Sequence, residues 1–339
     1  MTNKPAVSDT LPGVVWEEVA CPLCLGQEAK TICEANDVLH GLPGRFRLNR
    51  CANCGHVYLN PRPTRETISH YYPSDYSPHQ LAEHPMQEAL PLPKPSRSIR
   101  LAKWVPGLRG LYYWLKDTKA EIVPVVTKSQ PRALELGCGN GNFLEILRKK
   151  GWQAEGLEPA DAPAADVRRR GFRVCHGAFQ SGLYDEHAFD AVFAWMVLEH
   201  LHDPLGTLHE ICRILKPGGW IVLSVPNWGC WEPKVLRRYW YSLQLPTHLH
   251  QFTPRILRSM LADCGFQDIR VIHQQNVFNL IGTLGLWLRE KSPNGRLGPR
   301  LLDFIANPSV RGQLALAPLG KVLAWTRQSG RLTITARAK

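Results

Sequence analysis

Three glycines alternate with other residues directly after a short apolar run that contains a carboxylate. Gly137, Gly139 and Gly141 follow Glu135 within residues 133–144. Glycine permits a positive φ and a close approach of backbone to ligand, and the N-terminus of a following helix presents free N–H groups. The stretch therefore predicts a strand, a tight loop and a helix that bind a small polar cofactor. Its spacing differs from the G-x-G-x-x-G pattern of dinucleotide-binding loops.

A second acid follows the next apolar run. Residues 152–157 predict a strand that ends at Glu158, where an acid of a nucleoside-binding sheet can accept hydrogen bonds from both ribose hydroxyls. The helix between the two runs is expected over residues 143–150, with Asn142 as its N-cap. The two stretches together predict one pocket that is lined by the carboxylates of Glu135 and Glu158.

Four cysteines near the N-terminus stand in two C-x2-C pairs. Cys21 and Cys24 are separated from Cys51 and Cys54 by 26 residues, and zinc prefers four thiolates delivered in close pairs. A hairpin containing residues 46–50 would return the second pair to the first. Because four thiolates leave no open position, the predicted zinc is structural rather than catalytic. Four unrelated thiols are the alternative.

The segment of residues 228–252 is aromatic and basic, and it precedes a helix that Thr253 is expected to cap. Loops at the carboxyl ends of strands carry the ligand site in open α/β sheets, so we expect the acceptor here. His248 in this segment and His200 in residues 189–204, a predicted buried strand that runs into a loop, are candidates for a base. Histidines that only pack are the alternative.

Four motifs in collinear order resemble those of the class I S-adenosylmethionine (SAM)-dependent methyltransferases. They are the glycine loop with Glu135, the acid Glu158, the fourth-strand motif at 189–204 and the fifth-strand signature at 215–227. The resemblance implies an α/β fold with a Rossmann-like seven-stranded sheet. It also implies that residues 331–337, which alternate like a strand, form the antiparallel seventh strand after a sixth at 265–272.

The same resemblance implies the cofactor contacts. The first acid would bind the amino end of the methionine part, the glycines would pass under the cofactor, and the second acid would bind the ribose. The segment after the third strand (173–176) would contact adenine through backbone N–H groups and Phe179, since the usual acid is absent. The implied residues are Glu135, Gly137, Cys138, Gly139, Asn140, Gly141, Glu158, Pro159, Ala178, Phe179, Trp195 and Met196.

The ribbon with residues 57–63 and 71–76 resembles bacterial methyltransferases that act on sugars and surface glycans. In that group a tyrosine of this segment approaches the active site, which implies Tyr76, or Tyr72 as second choice; tyrosines that only pack are the alternative. The resemblance does not extend to the second C-terminal domain of the deoxysugar C-methyltransferases, so O-methylation is expected.

A Glu-His pair after the fourth strand faces the substrate in the sugar enzymes and in the ubiquinone-biosynthesis O-methyltransferases alike. The resemblance implies that Glu199 and His200 have this place, at the start of the next helix. Residues 246–253 resemble the H-L-x-x-F-T stretch of the family, with His248 in its histidine position.

These motifs divide the chain into a zinc ribbon at 1–78, a basic aromatic linker at 79–130 and a methyltransferase domain at 131–339 with an insertion at 274–329. Residues 277–288 suit an interfacial helix, and residues 289–339 hold ten Lys or Arg against two acids. Peripheral contact with an anionic membrane or a lipid-linked substrate is one interpretation. A lid or dimer helix buried on the sheet is the other.

The composition of the 339 residues is that of a globular protein with a net charge of +12, which predicts an anionic partner. Residues 1–10 have no apolar run, so we expect a cytoplasmic protein whose ten cysteines are thiols or metal ligands. The leading hypothesis is O-methylation of a sugar, glycan or lipid-linked intermediate. Alternatives are a ribosomal RNA base methyltransferase, against which the sequence of residues 198–201 argues, a quinone-type O-methyltransferase, and a scaffold without chemistry.

Overall fold

The computed structural model describes residues 10–72, 114–115 and 122–339. Tyr76 and most of the predicted 79–130 linker lie outside these residues. The strands of the described part are, in chain order, β1 (Trp16–Glu17), β2 (Ala29–Ala35), β3 (Phe46–Cys51), β4 (Val57–Leu59), β5 (Arg62–Pro63), β6 (Arg132–Leu136), β7 (Gln153–Glu158), β8 (Arg173–His176), β9 (Phe189–Trp195), β10 (Leu215–Pro226), β11 (His250–Gln251), β12 (Phe266–His273) and β13 (Arg331–Ala338).

A seven-stranded sheet forms the centre of the molecule, in the order β8-β7-β6-β9-β10-β13-β12. The pairs from β8 to β10 are parallel, and β13 is antiparallel to both β10 and β12. All but the last residue of β9 are buried, as expected for a parallel strand that is covered on both faces. The predicted Rossmann-like sheet, with its antiparallel seventh strand, is confirmed.

Eight α-helices are assigned within the described residues: α1 (Asn142–Lys149), α2 (Asp161–Arg169), α3 (Pro204–Ile214), α4 (Glu232–Val235), α5 (Pro254–Asp263), α6 (Phe278–Lys291), α7 (Leu297–Ala306) and α8 (Val310–Trp325). Thr253 caps α5 as predicted, because its hydroxyl accepts from the N–H of Ile256. The prediction of Asn142 as a cap was wrong. Gly141, with φ of 73°, is the N-cap of α1, and the Asn140 side chain accepts from the N–H of Asn142.

The Glu-His pair after β9 also lies outside the next helix. Leu198–His200 forms a short 3-10 turn, Leu201 is extended, and α3 begins at Pro204. The reason is a capping signal downstream, since the Asp203 side chain accepts from the N–H of Gly206 and proline suits the first helical position. The expectation that Glu199 and His200 begin the helix was therefore wrong.

The N-terminal residues form a four-stranded sheet in the order β11-β4-β3-β2, beside the small β1-β5 pair. The predicted hairpin is present as β2 and β3. The edge strand of this four-stranded sheet, β11, comes from the segment between β10 and α5 and pairs with β4. A shared hydrophobic core joins Leu48 and Leu59 of the N-terminal strands to Trp240 and Leu249 of that segment. The N-terminal module therefore packs directly onto the loop that was predicted to bind the acceptor.

Three helices, α6 to α8, lie between β12 and β13. Helix α6 buries Ile281, Thr283 and Leu286, whereas α8 exposes Leu319, Val322 and Trp325. A membrane-spanning segment would need a longer apolar helix than any that the described residues contain.

Candidate active site

The glycine loop between β6 and α1 has the predicted geometry. Gly137, Gly139 and Gly141 have φ of 65°, 49° and 73°, values at which a side chain is strained. A Cβ on Gly137 would lie 2.8 Å from the Cγ2 of Val197. The N–H groups of Gly137 and Cys138 donate to the carbonyl of Leu157, at 2.8 and 3.1 Å, and fasten the loop to the end of β7.

Both predicted acids lie at this loop. Glu135 on β6 is 4% exposed and Glu158 at the end of β7 is 2% exposed. The Glu158 carboxylate accepts from the N–H of Gly139 at 2.8 Å and from the N–H of Ala160 at 2.9 Å. These bonds hold it against the glycine loop. The donor set, a glycine cradle flanked by two buried carboxylates, fits the polar groups of SAM.

The other residues of the predicted cofactor site are spread along this edge of the sheet. Burial and the nearby acids raise the pKa of the Cys138 thiol, which keeps it neutral. Phe179 packs near Tyr184, and the carbonyl of Pro159 lies 3.1 Å from the Nε2 of His176. Ala178 follows β8, Trp195 packs edge-on to Phe143 at 4.9 Å, and the N–H of Met196 donates to the carbonyl of Ser224.

The four N-terminal cysteines converge. The Sγ atoms of Cys21 and Cys54 are 3.6 Å apart, those of Cys24 and Cys51 are 3.4 Å apart, and all four lie within 4.8 Å of one another. A tetrahedral zinc site with Zn–S bonds of about 2.3 Å places its sulfurs about 3.8 Å apart. The cluster therefore fits one zinc ion and is too open for disulfides.

Glu199, His200 and His248 form a second cluster, where the turn after β9 meets the segment that precedes β11. One nitrogen of each imidazole and one carboxylate oxygen lie within 4.8 Å of one another. The two imidazole rings are nearly perpendicular, with centroids 4.6 Å apart. The Tyr72 hydroxyl lies 3.0 Å from the Nδ1 of His200. The structure thus brings together Glu199 and both histidines, with the second-choice tyrosine beside them.

Burial controls the charge of this cluster. It raises the pKa of Glu199 to about 8 and lowers the pKa of His200 to about 4. Burial and the neighbouring His200 also lower the pKa of His248 well below its usual value. Both imidazoles are therefore neutral at pH 7 and can accept a proton or a ligand.

Residues 108–271 match the family model described as a methyltransferase domain. The chain carries a class I SAM-dependent methyltransferase domain.

Relatives of known name are similar over parts of this chain. A protein of Mycolicibacterium smegmatis, named a probable S-adenosylmethionine-dependent methyltransferase, is 31% identical over 126 residues, which are 36% of this chain and 49% of that protein. The ubiquinone biosynthesis O-methyltransferase of Alkalilimnicola ehrlichii is 30% identical over 103 residues, covering 28% of this chain and 42% of that enzyme. The chain thus spans about half the length of these relatives.

Among solved structures, a SAM-dependent methyltransferase of Thermotoga maritima covers 70% of this chain and 98% of its own, with 17% identity and a TM-score of 0.43.

The N-terminal module contacts the methyltransferase domain next to the cluster of Glu199, His200 and His248. The N–H of Leu249 donates to the carbonyl of Glu199, and Arg62 donates to the carbonyl of His202. His250 contacts the carbonyl of Leu201 at 2.8 Å through Nε2 and His56 at 3.0 Å through Nδ1. Because a carbonyl only accepts, His250 donates to Leu201 and accepts from His56. The turn that carries Glu199 and His200 is thus held by Leu249 and His250, and the N-terminal module supports it through Arg62 and His56.

Sequence reasoning missed Arg331, the first residue of β13. Its guanidinium acts on Glu199 and Tyr241 electrostatically, and burial lowers its pKa. The available signal was a cation at the start of an otherwise alternating strand.

Proposed function

We propose that the protein transfers the methyl group of SAM to an oxygen of a small-molecule acceptor, a hydroxyl of a sugar, glycan or lipid-linked intermediate. The observation that carries the proposal is the buried cluster of Glu199, His200 and His248 on the loops that follow β9 and β10. Two of the similar proteins, named ubiquinone biosynthesis O-methyltransferase and malonyl-[acyl-carrier protein] O-methyltransferase, are oxygen methyltransferases by name. A cluster of neutral imidazoles suits an oxygen acceptor, which must lose a proton.

The residues of the domain would divide the work as follows. Glu135 and Glu158 bind and orient the donor, which supplies an activated methyl group on a sulfonium. His200 and His248 lie where the proton of the acceptor can be taken, and Tyr72 stays within hydrogen-bonding distance of His200. Positioning in a dry pocket supplies most of the rate, because the displacement creates little charge.

An anionic acceptor agrees with the charges on this side. Arg331 is a half-buried cation, and the net charge of the chain is +12. A phosphate or carboxylate on the acceptor would balance the guanidinium. Arg331→Gln is expected to raise the KM for such an acceptor and to leave the affinity for SAM unchanged.

The test has two steps. Calorimetry with SAM checks cofactor binding first, and Glu135→Ala should abolish it. Transfer of radiolabelled methyl is then measured with nucleotide-linked sugars, lipid-linked sugars and a catechol. Labelling of a hydroxyl on a sugar supports the proposal. SAM binding without labelling of any hydroxyl compound would overturn it.

A quinone-type acceptor is the second candidate, favoured by 30% identity over 103 residues to a ubiquinone biosynthesis enzyme. Preferential labelling of the catechol in the same panel would establish it. Ribosomal RNA is tested by the salt dependence of RNA binding, since many phosphate contacts give a steep loss of affinity with salt. A flat response excludes that acceptor.

A further inference from the structure

The hydrogen bonds of the two clustered histidines fix their tautomers. The Nδ1 of His200 lies 3.0 Å from the carbonyl oxygen of Thr247, and the Nδ1 of His248 lies 2.8 Å from that of Ser242. A carbonyl oxygen can only accept, so each Nδ1 carries the proton, and the Tyr72 hydroxyl, 3.0 Å from the Nδ1 of His200, then accepts from it rather than donating to it. Each Nε2 is therefore an unprotonated acceptor. Histidines that bind metals show the same arrangement, in which the other ring N–H is donated to a backbone carbonyl.

The carboxylate beside them receives no hydrogen bond from another residue that the structure describes, and the only N–H that acts on it is that of its own backbone. Glu199 is 0% exposed, and neither of its oxygens has a hydrogen-bond partner among the other residues that the structure describes. Arg331 acts on it through its charge. Buried polar atoms without partners are rare and point to a missing water or ion. In its deprotonated form, which a bound cation would favour, Glu199 adds a third acceptor to the cluster.

We propose that Glu199, His200 and His248 hold a divalent transition-metal ion, of the zinc or iron(II) type, which presents the oxygen of the acceptor to the methyl donor. Two imidazoles and one carboxylate are a known ligand set for such ions, with positions left open for water or substrate. This inference rests on the proposed function and deepens it.

The distances permit the site. Ligand atoms around an ion at about 2.1 Å lie roughly 3.0–3.4 Å apart, and the three atoms of the cluster already lie within 4.8 Å. Rotations of the three side chains would close the difference, and the Glu199 carboxylate can turn because no hydrogen bond from another described residue holds it.

The ion would take the place of a general base, because it would help the hydroxyl of the acceptor to lose its proton. A hydroxyl bound to it has a lower pKa, as metal-bound water does, and its proton leaves to solvent. The oxygen then forms the new C–O bond while the C–S bond of the sulfonium breaks, and that electron pair remains on sulfur as a thioether. His200 and His248 act as ligands in this scheme.

The test counts metal ions on the full-length protein. Elemental analysis and titration of the zinc-loaded protein with Co²⁺ give the number of sites, and thiolate-bound Co²⁺ is distinguished by its charge-transfer absorption. We expect two ions per chain. Glu199→Gln, which keeps the shape of the side chain, and His248→Ala should each lose one ion and keep the one at the cysteines. His40→Ala, which changes an exposed histidine away from the cluster, should keep both.

The outcomes separate this inference from the proposed function. One ion per chain in the parent protein, with no Co²⁺ bound outside the cysteines, overturns the metal site even if methyl transfer proceeds. Two ions in Glu199→Gln also overturn it. Retention of the cysteine-bound ion and of SAM affinity shows that the variants are folded. Failure of SAM to bind any variant or the parent contradicts the proposed function, whereas the metal count still reports on the cluster.

Discussion

The two clusters that could bind metal differ in how they are built. Cys21 and Cys24 lie one turn apart, as do Cys51 and Cys54, and one hairpin joins the pairs. Glu199 and His200 come from a 3-10 turn after β9, and His248 comes from a segment that meets it only in the folded protein. The first cluster is thus built from residue pairs that are close in sequence, whereas the second forms only where distant segments meet in the tertiary structure.

The two clusters also differ in the number of ligands that they offer to an ion. Four thiolates saturate a tetrahedral ion, so the first cluster can only stabilise. The second has only three ligand groups, so an ion there would keep open positions, and it lies where we propose that the acceptor binds. A closed site predicts effects on folding, and an open site predicts effects on turnover. The following variants are ordered by the size of the effect expected.

Loss of the cysteine cluster should have the largest effect. Cys51→Ser is expected to release the zinc and to lower the free energy of unfolding by roughly 5 kcal/mol or more, because structural zinc supplies much of the folding free energy of small modules. Zinc content and urea denaturation measure it. Cys33→Ser is the control, since this half-buried cysteine lies outside the cluster. Full stability after zinc release would remove the structural role.

The second cluster should affect turnover instead. His248→Ala is expected to keep SAM binding and to lower kcat by about a hundredfold or more, whether the imidazole serves as base or ligand. Calorimetry and a methyl-transfer assay separate the two quantities, with His40→Ala as control. Unchanged turnover would remove His248 from the site.

This contrast also explains what could be predicted from the sequence. The cysteine pairs and the glycine loop are each contiguous, and their spacing alone implies the chemistry. The sheet could be predicted for the same reason, since β6, β9 and β10 are each a largely buried apolar run that ends at a turn or a loop. The metal and cofactor roles are inferred from how well these residues fit zinc and SAM and from the similarity of the chain to known methyltransferases.

The rest depended on contacts between distant segments. A two-residue strand such as β11 has no pattern of its own, so its pairing with β4 could not be predicted. The place of Arg331 beside Glu199 is set by the last strand of the sheet. Asp203 and Pro204 displaced the helix start expected at Glu199, and this competing signal was present in the sequence.

The cofactor side should respond differently from both clusters. Glu135→Gln is expected to weaken SAM binding about 10- to 100-fold, because a hydrogen bond to a charged group contributes about 1.5–3 kcal/mol. The metal content should stay unchanged. Calorimetry gives the affinity, and Glu145→Gln on the surface of α1 is the matched control. Equal affinity in parent and variant would place the amino end of SAM elsewhere.

Glu232, another buried carboxylate, shows how strongly burial acts even on a group that has hydrogen-bond partners. Glu232 is 0% exposed but accepts hydrogen bonds from Asn279 at 2.8 Å and Thr283 at 3.0 Å. Burial nevertheless raises its pKa from 4.5 to about 7. The folded protein therefore keeps a proton that the unfolded chain loses above pH 4.5, so this group lowers stability progressively between pH 4.5 and 7 and by a constant amount above pH 7.

Glu232→Gln should remove that penalty. We expect the variant to be more stable than the parent by about 3 kcal/mol at pH 8 and nearly equal to it near pH 4.5, as measured by urea denaturation at both pH values. Glu290→Gln, at a half-exposed carboxylate, is the control. A gain of the same size at both pH values would show that packing, not ionisation, is responsible. A pH-dependent gain would show that a buried carboxylate with two hydrogen-bond donors still resists ionisation.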